Sequence, residues 1–139
     1  MALGMTTLSD VELASAMVCG ENDITWISTA ETPLEAGSGE IITNALLQFD
    51  ITCGATGVED IDIHIRYSAD GGTTKDTEDV KTFATTVATD AGNHVIFSYR
   101  VAGDFNYLDV GIGNNETEDY DHTVNIDATV TKLTGLATS

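Results

Sequence analysis

Asp60-Ile-Asp-Ile-His-Ile-Arg-Tyr-Ser-Ala-Asp-Gly-Gly-Thr-Thr74 is the stretch that decides the fold. Ile61, Ile63, Ile65 and Tyr67 alternate with Asp60, Asp62, His64 and Arg66. A period of two places apolar side chains on one face and charged ones on the other, which marks a half-buried strand. Residues 68–72 then supply a corner, because Asp tolerates turn geometry and Gly accepts positive φ. The stretch predicts an antiparallel strand entering a tight turn at Asp70-Gly71-Gly72.

The same device recurs on both sides. Residues 41–53 predict a long strand with Ala45, Leu47, Phe49, Ile51 and Cys53 inward and Ile42 and Leu46 on the opposite face. Residues 94–102 point Val95, Phe97, Tyr99 and Val101 inward, with Ile96, Ser98 and Arg100 outward. After a turn at Gly103-Asp104, residues 105–113 put Leu108, Val110 and Ile112 inside and Tyr107 and Asp109 outside. Residues 122–132 bury Val124, Ile126, Ala128 and Val130. Residues 69–79 read as a long acidic loop, followed by a weaker strand over 80–87. A short strand over 24–29 carries Trp26, the sole Trp, and a breaker-rich loop fills 30–40.

Residues 1–8 read as a loose arm, and residues 1–12 as an arm preceding one domain over 13–139. Residues 9–18 are ambiguous: Ser9 and Glu12 fit a helix capping box, yet Leu13, Ser15, Met17 and Cys19 alternate. The surrounding strands favour an edge hairpin closed by residues 20–23. About seven or eight strands separated by turn residues predict an all-β, antiparallel, jelly-roll-like sandwich.

Composition narrows the function. The 139 residues suit one core that folds without a metal or disulfide. There are 23 acidic and 5 basic residues, a formal charge of -18, and no Lys or Arg precedes Arg66. Such a chain repels nucleic acid and anionic membranes, since both are held by neutralising phosphates with cations. The charge serves solubility, high salt or an outer, solvent-facing surface. Residues 1–20 lack the positive start of a secretory signal, and no run approaches the roughly 18 apolar residues of a membrane span. Cys19 and Cys53 allow at most one disulfide; Cys53, in phase with a buried face, reads as a buried thiol.

No motif assembles chemistry. Asp70, Asp76, Glu78 and Asp79 in one loop and Glu116, Glu118, Asp119 and Asp121 in another could offer oxygens to Ca²⁺, but solvated acidic loops explain them, and no metal or other cofactor is expected. His64, His94 and His122 fall in or beside strands, and no G-x-S-x-G elbow accompanies them. No carboxylate pair is singled out for acid–base work. Trp26, Tyr107 and Tyr120 are the aromatics available to a glycan-binding face. Asn115-Glu-Thr117 is a formal glycosylation sequon with no signal peptide to give it meaning. Ile42, Leu46, His64, Arg66, Ile96 and Tyr107, all on predicted outer faces, form the candidate partner-contact set.

The runs I-R-Y-S-A-D-G-G-T-T-K-D-T-E-D-V at 65–80 and Y-R-V-A-G-D-F-N-Y-L-D-V-G-I-G-N-N at 99–115 resemble small virion structural proteins of tailed bacteriophages. Those share a strand ending in a Y-S-x-D-G-G-T-T corner and a later V-x-G-x-x-x-Y-L-x-V-x-x-x-N strand pair. The resemblance spans about half the chain and leaves out residues 1–23. It implies a sandwich that decorates or cements a capsid, or serves elsewhere in head or tail. Expected partners are a major capsid protein, other virion proteins and further copies, with a trimer favoured. The expected location is the virion, assembled in the host cytoplasm. No catalytic or cofactor residue comes with the resemblance. A glycan-binding module is the rival reading, and an enzyme the third.

Overall fold

Alternation along the chain becomes nine strands and one helical turn in the computed structural model, which describes residues 4–20, 23–52, 60–73, 76–84, 94–114 and 121–134. In order they are β1 (Gly4–Cys19), β2 (Asp23–Trp26), α1 (Ile27–Ala30), β3 (Leu34–Glu35), β4 (Ile41–Thr52), β5 (Asp60–Ser68), β6 (Asp76–Ala84), β7 (His94–Phe105), β8 (Tyr107–Asn114) and β9 (His122–Thr134). Sheet one has the order β1-β9-β4-β7 and sheet two β2-β8-β5-β6, with the two-residue β3 also on β8. Every pairing is antiparallel. Apart from β3, four strands in each of two sheets, with the chain passing repeatedly between them, make the expected sandwich a jelly roll.

The core lies between the sheets. Ala45, Leu47, Phe49 and Ile51 of β4 face inward as their alternation requires, as do Ile61, Ile63 and Ile65 of β5 and Val124, Ile126, Ala128 and Val130 of β9. Phe49 stacks on Phe97 of β7 with ring centroids 4.6 Å apart. Offset ring pairs of this kind add roughly 0.5–1.5 kcal/mol to what area burial supplies. The corner after β5 forms where expected. Gly71 and Gly72 adopt φ of 70° and 95°. The Ser68 hydroxyl accepts from the Asp70 and Gly72 amides, at 3.0 and 3.1 Å, and donates to the Asp70 carboxylate. Asn106 latches the corner by accepting from the Gly71 amide and donating to the Ala69 carbonyl.

Several boundaries differ from the sequence reading. The residues expected as a loose arm are paired: Gly4 to Leu8 lie opposite Thr134 to Val130, and β1 passes through position 12 without a break. The expected hairpin with residues 24–29 is replaced by a crossing between sheets, since β1 pairs with β9 and β2 with β8. Register shifts at three places in β1 upset its alternation, so Leu13 and Ala14 are both buried while Ser15 is exposed. Asp10 and Ala16 take φ of 57° and 50° there. The Ala16 amide donates to the Asn125 side chain at 2.8 Å, satisfying a donor in the irregular stretch. The 24–29 strand stops at Trp26 and ends in the single turn α1. Asp76, Glu78 and Asp79 belong to β6 rather than to a loop. The turn expected at Gly103-Asp104 falls instead at Asn106, so Phe105 joins the core. Among the described residues, no helix is long and apolar enough to cross a membrane.

Candidate functional site

The six residues of the expected contact set are not brought together. Ile42 is fully buried, because the register between β4 and β9 slips at Thr43 and turns Ile42 into the core. Tyr107 is also buried; its ring lies over Gly72, where a Cβ would come within 3.0 Å of it. Leu46 is half-buried, opposite Arg100 of β7 and Thr129 of β9 on the outer face of sheet one. Ile96 is on the same face and is 74% exposed. His64 and Arg66 are on the outer face of sheet two and are half-covered rather than a solvent-facing row.

Their cover is a polar knot that the sequence does not announce. Asp109 of β8 lies opposite Arg66 of β5 and is completely buried. Its Oδ2 accepts from Arg66 Nε at 3.0 Å and Ser28 Oγ at 2.5 Å and lies 2.8 Å from Arg66 Nη2 as an ion pair; its Oδ1 accepts from the Ser28 amide at 3.0 Å. Three hydrogen-bond donors, one of them on the Arg66 cation, thereby compensate one dehydrated carboxylate, which is the condition for burying it. Arg66 also packs over the Trp26 ring, with Cζ 3.8 Å from its centroid. The ring reaches that place over Gly111, where any Cβ would meet it at 2.9 Å. His64 lies beside it, with ring centroids 6.0 Å apart. Ser28 Oγ in turn accepts from Arg66 Nη2 at 3.4 Å, so hydroxyl, carboxylate and guanidinium close one small network.

A second pair also has residue types that catalysis uses. Cys19 ends β1 directly opposite His122, which begins β9, and both are buried. A nucleophilic thiol needs a depressed pKa and an imidazole able to hold a proton. Here burial pushes the Cys19 thiol up to about 12, outweighing a hydrogen bond with Thr25 that lowers it. Burial also holds His122 below the usual imidazole value, against the opposing pull of Asp121. Both shifts favour a neutral pair. The Asn114 side-chain amide donates to the Cys19 carbonyl at 3.0 Å, tying sheet two to sheet one at this corner.

The outer face of sheet one carries an open trough of about 560 Å³ lined by Glu12, Gln48, Asp50, Ile96, Asn125 and Asp127 among others. Glu12 and Asp127 are directly opposed across β1 and β9. Asp50 of that lining pairs with His94 at 2.6 Å. Among the described residues no three acidic, His or Cys side chains group to hold a metal. Of the carboxylates considered for Ca²⁺, Glu116, Glu118 and Asp119 lie outside the described residues, as do Asn115, Tyr120 and Cys53. Trp26, one of the three aromatics considered for a glycan-binding face, has at least one ring face taken by Arg66.

No protein-family model matches this chain, and no curated protein matches it. Among solved structures, 99% of the chain superposes on part of the infectious bursal disease virus VP2 subviral particle, with a TM-score of 0.53 at 11% identity. The T13 particle of the same virus gives 0.52 at 10%, and its Gx strain 0.53 at 9%, each over 99% of this chain. The chain spans 36 to 38% of the length of these neighbours. At such identities the likeness is one of fold alone.

Proposed function

We propose that the chain is a non-enzymatic structural protein of a virion. The observation that carries this reading is the superposition of nearly the whole chain on part of a viral particle protein. Two features support it. The Ser28–Asp109–Arg66 and Cys19–His122 groups are spent on holding the fold. The charge of -18 turns the molecule away from packaged nucleic acid. Within a virion, the sequence resemblance favours a place on the outside of a bacteriophage capsid, decorating or cementing it through contacts with the major capsid protein and with further copies, three-fold related. A head-completion or tail position is the neighbouring alternative.

Density-purified particles of the virus that encodes the chain provide the test. Quantitative mass spectrometry should find it in fixed stoichiometry with the coat protein, and an antibody should reach it on intact particles. Its absence from particles, with the protein present in the soluble fraction, overturns the virion reading. Presence without antibody access overturns only the exterior position.

A further inference from the structure

Cross-strand register decides what the trough on the outer face of sheet one presents. One row runs from Glu12 of β1 through Asp127 of β9 and Gln48 of β4 to Ser98 of β7; the next runs from Asn125 through Asp50 to Ile96. Glu12 and Gln48 are exposed, and Ile96 is 74% exposed, so solvent reaches the face from both sides. Like charges directly opposed on neighbouring strands cost stability. Glu12 and Asp127 are opposed in this way, and among the described residues no cation stands beside either. Where the contacts of an Arg or Lys side chain are described, they lie elsewhere: Arg66 with Asp109, Arg100 with Asn44 and Lys132 with Glu40. A smaller pocket of about 110 Å³ adjoins at β1, sharing Glu12 and Ala14 with the trough and adding Glu31. Carboxylates thus step from β4 through β9 and β1 to the residue that follows α1.

We propose that this face docks a basic segment of another protein, an extended stretch carrying Lys or Arg side chains. Charge complementarity selects the occupant. A second copy brings a charge of -18 and is repelled, whereas a cationic segment relieves the opposition of Glu12 and Asp127. The trough's volume of about 560 Å³ falls within the roughly 300–1,000 Å³ of ligand-holding clefts. Lys and Arg carry an apolar stem and a charged head. Ile96, directly opposite Asp50, offers the stem an apolar surface beside a carboxylate for the head. β1 and β4 lie two strand spacings apart, roughly 10 Å, which about three residues of an extended peptide cover. The inference goes beyond the virion reading and does not need it, because it concerns one face of the isolated chain.

Titration of the full chain with a fluorescein-labelled Lys-Ala-Lys-Ala-Lys peptide tests it, read by anisotropy and by amide chemical shifts. Saturable one-to-one binding is expected, weakening as ionic strength rises from about 0.02 to about 0.3 M. The largest shifts should fall on Glu12, Gln48, Asn125 and Asp127. Glu12→Gln/Asp127→Asn should raise Kd about tenfold, the effect of losing a charge-assisted contact. Glu12→Gln alone should raise the melting temperature, because it removes the opposed charge. Asp23→Asn/Asp104→Asn removes equal charge at exposed positions outside the trough and should leave Kd nearly unchanged. Equal weakening by the two double variants, or shifts spread over the whole surface, would show only the diffuse attraction of a polyanion and overturns the proposal. Spermidine binding as tightly as the peptide overturns the choice of a polypeptide, and a lower melting temperature for Glu12→Gln overturns the premise of opposed charges. Failure of the titration would leave the particle measurement untouched, so the two readings fail separately.

Discussion

Arg66 and Asp109 show how one pair can carry unequal risks. Arg66 keeps 24% of its side chain in water, whereas Asp109 keeps none. Removing the cation strands a buried carboxylate; removing the carboxylate leaves a cation that can turn outward. Arg66→Met is therefore expected to cost about 3–5 kcal/mol, as for breaking a buried ion pair from the charged side. Asp109→Asn, which keeps an oxygen for the Ser28 amide, should cost roughly 1–3 kcal/mol. The double variant Arg66→Met/Asp109→Leu should be more stable than Arg66→Met alone. Urea denaturation of the three variants checks the order. His122 supplies a second expectation at this scale. Its folded pKa lies below the unfolded value of 6.5 because burial penalises the charged ring. Between those two values the unfolded chain binds more protons, so stability falls as pH drops below 6.5 and levels off beneath the folded value. Melting temperatures from neutral to mildly acidic pH should show that decline, and His122→Gln should flatten it.

At the scale of single elements, β8 explains much of what alternation could not reveal. It is buried along its whole length. A strand covered on both faces loses the contrast between inside and outside that a period-two reading relies on. That is why Tyr107 and Asp109 were expected in solvent. The available signal was the pair Gly111 and Gly113, two residues apart and therefore on one face, which indicates a close neighbour over that face. Trp26 is that neighbour at Gly111. Gly111→Ala should push the indole off Arg66, shift the emission of the sole Trp and cost about 1–3 kcal/mol as an overpacking change. Fluorescence and chemical denaturation read both effects; an unchanged spectrum would mean that the ring does not depend on the gap. β1 and the start of β4 were misread for a different reason. One extra residue at a bulge reverses every side chain beyond it, which turned Ile42 inward and broke the pattern of β1. β5, β9 and the body of β4 contain no such slip over their apolar runs, and their faces were legible residue by residue.

Across the whole molecule, the class of fold was legible because strand phase and turn residues recur throughout the chain. The order of strands within each sheet was not. Partners such as Arg66 and Asp109 are separated by β6, β7 and their connections, and alternation carries no information about which strand will lie alongside. The candidate contact set is scattered for the same reason: phase does not say which sheet a face belongs to. One feature of that strand order also governs how the chain comes into being. β1 pairs with β9, the first strand with the last. Among the described strands β1 pairs with β9 alone, so as the polypeptide leaves the ribosome it waits until β9 has been made, and sheet one cannot close before then. Non-local closure of this kind makes folding slow. Through that interval the waiting strand must avoid pairing with a neighbouring nascent chain, and its interruptions at three places, together with Asp10 and Glu12, give it that protection.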